Sequence, residues 1–336
     1  MAQRYDFASD NVAGAMPEAL AALTRFNDGF AGGYGSDHVT RRAADLVRAL
    51  VGADAEVRFT ASGTAANSLS LAALAAPHEA VLAHEHSHVA TDEAGAPGFF
   101  GSGVGLELLP GRSGRIDADA LARALAEPDV SYRQSPAALS LTNATEYGQV
   151  YAEAEFAALA GPAKNASLKV HLDGARLANA AAAGFPVGRL RALGVDIAVV
   201  GGTKAGSTPS EAIVIFDRSL ARRFDARMKH AGQLVSKARF LAAPWIGMLE
   251  TGAWTQRAAH ANRMARKLAE LCPFPLAHPV EANAVFLDMD AAALSRLHEK
   301  GWAAYSFLDG SVRLMCSWAT TEAAVEEIAE ALNAIA

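Results

Sequence analysis

The sequence predicts an α/β protein with a mostly parallel sheet, followed by a small C-terminal α+β domain. Three observations carry that reading. From residue 56 onward, short β-rich runs alternate with helical segments. The runs are almost continuously apolar, as strands are when helices cover both faces of a sheet. After about residue 235 the alternation gives way to a helix-rich stretch and three further strand candidates. The organisation expected is an N-terminal segment over 1–12, a large α/β domain over 13–250 and a small domain over 251–336.

In chain order, MPEALAALTRF (16–26) and RRAADLVRALVG (41–52) carry helical Ala/Leu patterns, and GGYGSD (32–37) breaks between them. EVRFTAS (56–62) reads as a strand entering an Ala/Leu helix over 65–76, and AVLAHE (80–85) as the next strand. LELLPG (106–111) follows, then DADALARALAE, a helix capped by Asp117. AALSLTNA (137–144), LKVHLDGA (168–175), DIAVVGG (196–202) and EAIVIFD (211–217) complete the strand series. The helix-rich stretch 238–270 ends at Pro273, Pro275 and Pro279. AVFLDMD (284–290), WAAYSFLD (302–309) and VRLMCSWA (312–319) are the late strand candidates, and TEAAVEEIAEALNAI forms a terminal helix.

Composition removes several classes of function. With 30 Lys+Arg against 36 Asp+Glu, the net charge of −6 argues against a nucleic-acid partner, which needs a basic footprint. A chain 51% hydrophobic and 20% charged is not disordered. No window approaches the roughly 18 uninterrupted apolar residues of a membrane helix. MAQRYDFASDN lacks a basic segment followed by an apolar run, so no secretory signal is expected. Cys272 and Cys316 are too few for a disulfide framework and fit no metal spacing, which points to a reduced, cytoplasmic setting.

Three short segments carry chemistry. Ala61-Ser62-Gly63-Thr64-Ala65-Ala66-Asn67 stands at a strand-to-helix junction. Gly63 lets backbone approach a ligand, the free N–H groups of the helix start suit a phosphate, and Thr64 adds a hydroxyl. His171-Leu172-Asp173-Gly174-Ala175-Arg176 ends an apolar strand, where α/β proteins bind ligands. Asp173 and Arg176 could grip two edges of one flat heterocycle, or simply pair with each other across a loop. Gly201-Gly202-Thr203-Lys204-Ala205-Gly206 follows another apolar strand, and a lysine enclosed by small residues is partly desolvated, which favours imine chemistry. The spacing of a Walker-type phosphate loop is missing.

Each segment alone is ordinary turn, ion-pair or surface chemistry. Their order is not: a phosphate seat, an Asp/Arg pair, then a Gly-flanked lysine about thirty residues later, the parts that a pyridoxal phosphate enzyme needs. The set resembles the aminotransferase-like (fold type I) enzymes. Within them it closely resembles the low-specificity L-threonine aldolases, including phenylserine aldolases. FASDN (7–11), YGSD (34–37), SGTAANSL (62–69), HVATDEAGAP (88–97), HLDGAR (171–176), GGTKAG (201–206) and VRLMCSW (312–318) carry the resemblance in order along nearly the whole chain.

The resemblance implies pyridoxal 5'-phosphate as cofactor and retro-aldol cleavage of L-β-hydroxy-α-amino acids (L-threonine, L-allo-threonine, L-phenylserine) to glycine and an aldehyde. It implies that Lys204 forms the Schiff base with the cofactor, that Asp173 keeps the ring nitrogen protonated and that Arg176 contacts the ring's phenolate oxygen. Gly63, Thr64 and Thr203 would help to bind the cofactor. Arg313 matches the arginine that grips the substrate α-carboxylate, with Ser9 beside it. Tyr34 and Lys237 would reach a neighbouring subunit's site in a homodimer or homotetramer. A racemase, an aminotransferase or a β-eliminating lyase is the alternative activity, because each would use the same Lys204 and Asp173.

His84, His86 and His88 alternate, and on a continuing strand they would share a face, but no fourth ligand is identifiable and no metal is expected. The resemblance points to His88 alone, stacked on the cofactor ring and a candidate base; His84 and His86 are read as structural. Many threonine aldolases carry a histidine where this chain has Glu146. Either Glu146 handles the substrate hydroxyl as a carboxylate, or His88 does so alone.

Overall fold

A computed structural model of the chain describes residues 3–336. Its strands, in chain order, are β1 (Glu56–Thr60), β2 (Glu79–His84), β3 (Gly105–Leu109), β4 (Gly111–Arg112), β5 (Arg115–Ile116), β6 (Ser135–Thr142), β7 (Lys169–Gly174), β8 (Ile197–Gly201), β9 (Glu211–Ile215), β10 (Ala284–Leu287), β11 (Tyr305–Ser306) and β12 (Val312–Met315). Seven of them form one sheet in the order β1-β9-β8-β7-β6-β2-β3, and β9 alone runs against the rest. The mostly parallel sheet expected from the apolar runs is thus present.

Those runs are apolar on both faces because both faces are covered. Val170 and Leu172, Ala198 and Val200, and Ala212 and Val214 point into one core. Ile197 and Val199, with Ile213 and Ile215, point into the other, as the two-residue period of a strand requires. Helices Pro17–Arg25, His38–Leu50, Glu153–Asn165, Leu177–Ala182, Arg239–Glu250 and Ala253–Leu271 contribute to the first core. Gly63–Leu74 and Phe224–His230 close the second. Asp117 caps Ala118–Ala126 as expected, accepting from the Asp119 N–H at 3.1 Å.

The helix-rich stretch is two helices, broken at Gly252, whose φ of +73° suits glycine. Beyond it, β10, β12 and β11 form an antiparallel sheet backed by Ala253–Leu271, Ala291–Glu299 and Glu322–Asn333. One expected strand contracts: of 302–309 only Tyr305–Ser306 pairs in this sheet. The preceding residues bind the N-terminal segment instead, with Ala303 N–H donating to Arg4 O at 2.8 Å and Arg4 bridging Trp302. The segment is held further by Phe7, fully buried in the small sheet's core, whose carbonyl accepts from Met315 N–H at 2.8 Å. No helix among the described residues is long and apolar enough to cross a membrane.

Because β1, β2, β6, β7 and β8 share a direction, their carboxyl ends open at one edge, where the amino end of β9 meets them. That edge is where an open α/β sheet places its ligands.

Candidate active site

A cavity of about 210 Å³ opens at this edge. Its first wall is the turn from β1 into Gly63–Leu74. Ser62 Oγ caps that helix, accepting from Ala65 N–H at 3.2 Å, and the Ala61 N–H is tied to Gln233 Oε1 at 3.1 Å. The N–H groups of Gly63 and Thr64 open the helix and have no acceptor within it. A Cβ at Gly63 would meet nothing within 4 Å, so the glycine leaves free space in front of the helix end.

The second wall is the end of β7. Asp173 is 1% exposed, and its Oδ1 accepts from Ala175 N–H and its Oδ2 from Asn67 Nδ2, both at 3.0 Å. It has no cationic partner within ion-pair distance among the described residues. A Cβ on Gly174 or Gly201 would run into the carbonyl of Val199 or Ala175, respectively, so these glycines set how closely β7 and β8 end together.

The third wall is Thr203-Lys204, just beyond β8. Thr203 Oγ1 accepts from Ser210 N–H at 3.1 Å, and Gly202 N–H donates to Glu211 Oε2 at 2.8 Å. Glu211 lines the same cavity. Burial pushes its carboxyl up to about 7, against the opposing pull of Thr203, the Gly202 N–H and the Lys204 charge.

This shift has a measurable sign. Below the unfolded value near 4.5 both states hold the proton; between there and about 7 only the folded state does. Stability is therefore lost as pH rises through that window, on the order of 3 kcal/mol in all. Glu211→Gln keeps an acceptor for Gly202 and removes the ionisation. In the cofactor-free protein we expect its thermal midpoint to exceed the parent's by about 4 °C at pH 8 and to match it at pH 5. Equal midpoints at both pH values would show that Glu211 ionises without cost.

His88 overhangs the cavity from the start of His88–Thr91. Its Nδ1 meets Glu93 Oε1 at 2.9 Å, a bond that raises the imidazole pKa above its ordinary value despite burial. β2 ends at His84, so the three alternating histidines share no strand face. His84 Nδ1 accepts from His86 N–H at 2.9 Å, and His86 Nδ1 meets the Tyr147 hydroxyl at 2.7 Å.

A buried charge cluster adjoins the cavity. Arg176 is not on the cavity wall. Its Nε and Nη2 donate to Asp10 at 2.7 and 3.0 Å, and its Nη1 lies 3.5 Å from Glu146 Oε2. Burial would raise the Asp10 carboxyl, but the charges of Arg176 and Lys204, with bonds from Arg176 and Asn283, hold it at about 2. Arg313 projects from β12 with its guanidinium 4.8 Å from the Phe307 ring centre, and its buried Nε has no partner among the described residues. Burial and the like charge of Arg176 lower its pKa. Glu146 Oε1 is likewise buried without a partner.

Of the residues singled out in the sequence, Gly63, Thr64, His88, Asp173, Thr203 and Lys204 meet in the cavity. Glu146, Arg176 and Arg313 form the adjoining cluster, and Ser9 is half-buried beside Asp10. Tyr34 and Lys237 stand apart on the exposed surface; the Tyr34 N–H donates to Ser236 O at 3.1 Å, which joins their two segments. Asn67, Glu93, Glu211 and Asp10 were not singled out. Asn67 lies one helical turn after Gly63, so helical spacing was the available signal for it; Glu93, beyond the end of His88–Thr91, lies inside the HVATDEAGAP motif but carries no such spacing.

A family model described as beta-eliminating lyase matches residues 6–292. The chain is 45% identical to a low specificity L-threonine aldolase of Pseudomonas sp. (strain NCIMB 10558), over 99% of this chain and 98% of that one. It is also 45% identical to the Pseudomonas aeruginosa protein of that name, over 98% and 97%. Among solved structures, the threonine aldolase of Leishmania major superposes with a TM-score of 0.92 at 29% identity, over 99% of this chain and all of that one.

Proposed function

We propose that this chain, which belongs to the beta-eliminating lyase family and within it to the low-specificity L-threonine aldolases, cleaves L-threonine, L-allo-threonine and L-phenylserine to glycine and the corresponding aldehyde. It is a lyase with the fold type I architecture, and its cofactor is pyridoxal phosphate. The observation that carries the reading is Asp173: a buried carboxylate without a cation, facing one cavity with Lys204 and the start of a helix.

The residues fit the cofactor. Lys204 is the one amine on the cavity wall among the described residues, Asp173 offers an anion for a protonated ring nitrogen, and the Gly63 and Thr64 N–H groups suit a phosphate. When bound, pyridoxal phosphate supplies an electron-poor ring that accepts the electron pair left on the substrate's Cα as the Cα–Cβ bond breaks. The protein's share is placement and charge. Arg313 has an unpartnered buried Nε and takes the α-carboxylate, with Ser9 near it. His88 is the group on the cavity wall able to take the β-hydroxyl proton. Glu146, engaged by Arg176, acts on His88 through its charge. Arg176, held by Asp10, serves the cofactor's phenolate edge.

We further propose a homodimer or homotetramer in which Tyr34 and Lys237 complete a neighbour's site. The adjacency of their segments, away from the chain's own cavity, supports this. A cytoplasmic setting agrees with the two unpaired cysteines. The test is product analysis of the cofactor-loaded protein with each amino acid. Glycine and aldehyde are expected in equal amounts, benzaldehyde from L-phenylserine and acetaldehyde from the other two. An α-keto acid or an epimerised amino acid formed without aldehyde overturns the reading.

A further inference from the structure

Two buried residues that the mechanism above does not use, Asn67 and Glu93, tie the cavity-lining His88 and Asp173 into one polar frame. Asn67 Nδ2 donates to Glu93 Oε1 at 2.8 Å and to Asp173 Oδ2 at 3.0 Å, and the same Glu93 Oε1 meets His88 Nδ1 at 2.9 Å. Asn67 and Glu93 are 2% and 3% exposed. The amide orientation is fixed by chemistry: turned the other way, its oxygen would face two carboxylates. Both of its N–H bonds are therefore spent on acceptors.

This fixes protons. Glu93 Oε1 accepts from Asn67 and so carries no proton of its own, which makes His88 Nδ1 a donor. That leaves His88 Nε2, with no hydrogen-bond partner among the described residues, to face the cavity as the basic nitrogen. Glu93 Oε2 is buried and unpartnered among the described residues, so His88 is the one ionisable hydrogen-bond partner of this carboxylate, beside the neutral Asn67 amide. We propose that Glu93 and Asn67 are positioning residues of the cleavage reaction: Glu93 sets the His88 tautomer and balances the charge His88 gains on taking a proton, and Asn67 locks Glu93 and Asp173 into one frame. The logic is that of a carboxylate orienting a histidine base. The inference rests on the reading of His88 as the group that accepts the hydroxyl proton.

Other charges face the imidazole as well. Glu146, from the loop after β6, and Asp173, at the end of β7, raise its pKa, whereas Lys204 lowers it. The Glu93 bond is the largest influence, so removing its charge should dominate. Glu93→Gln is isosteric: its amide oxygen can still accept from His88 and Asn67.

In the cofactor-loaded Gln variant the acid limb of the kcat/KM–pH profile should move down by about one pH unit or more. The cleavage kcat should fall about 10- to 100-fold while KM stays within about threefold. Glu93→Asp keeps the charge but withdraws it, and should give a limb between the two. If the Gln variant fails to fold, the Asp variant against the parent carries the comparison. A pH titration of the bound cofactor's visible absorbance reads the same ionisation without turnover, because His88 and Lys204 feel each other's charge, and it should move in the same direction.

A limb unmoved in both variants overturns the inference, since a merely structural residue would change the rate without moving the limb. His88→Asn separates the two ways of failing. If it cripples cleavage while Glu93→Gln keeps the parental limb, the positioning role is wrong and the role of His88 stands. If His88→Asn cleaves at the parental rate, the role of His88 is wrong and the inference falls with it.

Discussion

Replacing Lys204 with alanine should lower turnover by about four orders of magnitude or more and leave the fold intact. The loss should be near-total because Lys204 is the one amine among the cavity-lining residues, so no neighbour can hold the cofactor covalently in its place. The fold should survive because the surroundings do not depend on the ammonium. Gly202 binds Glu211 through its backbone, Thr203 binds Ser210 through its hydroxyl, and Trp254 Nε1 binds the Gly201 carbonyl at 3.0 Å. Removing a positive charge beside Glu211 also leaves that carboxyl free to stay protonated, and the buried Asp10 loses the Lys204 charge but keeps Arg176 and Asn283 as partners. Circular dichroism and the thermal midpoint should therefore match the parent, while the visible absorbance of the variant mixed with pyridoxal phosphate should be lost on dialysis. Cleavage at even a tenth of the parental rate would remove Lys204 from the proposed chemistry.

What the sequence made legible follows from where the information is local. Strands β6, β7, β8 and β9 could be read because helices cover both faces, so apolar residues run through the middle of each with little alternation. The segment 302–309 misled for the same reason in reverse. Trp302, Ala303 and Ala304 are buried, yet they pack against the N-terminal segment rather than pairing in the sheet. The three cavity walls were legible because each is a contiguous motif at a strand end. What holds those walls in register was not. Asn67 reaches Asp173 across 106 residues, and Asp10 reaches Arg176 across 166. No pattern within a window of helix or strand length encodes such a contact. The pairing of Asp10 with Arg176 changes the meaning of the motif at β7. Spacing alone had left Asp173 and Arg176 as partners in one loop or as two hands on a ligand; in the folded chain neither is the other's ion-pair partner. Each is pinned by a residue from elsewhere.

Arg313 is the cation of the cluster without an ion-pair partner among the described residues, and Arg313→Leu should move two measurements in opposite directions. Its guanidinium is largely buried over Phe307, its Nε lacks an acceptor among the described residues, and Arg176 repels it. A buried cation that is not paired costs stability, and replacing it with an apolar side chain of similar volume commonly recovers some of that cost. The variant's thermal midpoint without substrate should therefore equal or exceed the parent's. Substrate binding should suffer. A carboxylate held by two charge-assisted hydrogen bonds gains about 3–4 kcal/mol, so KM should rise about 100- to 1000-fold. A matching sign appears without turnover: glycine, which carries the same α-carboxylate, should stabilise the cofactor-loaded parent against heat and leave the variant unmoved. The cost falls on binding because the carboxylate is present in the ground state and the transition state alike, so kcat should change far less than KM. Steady-state kinetics on L-phenylserine with parallel thermal scans decides the matter. An unchanged KM would mean that the carboxylate is gripped elsewhere, and a lowered midpoint would mean that Arg313 is held by partners in the ligand-free protein after all.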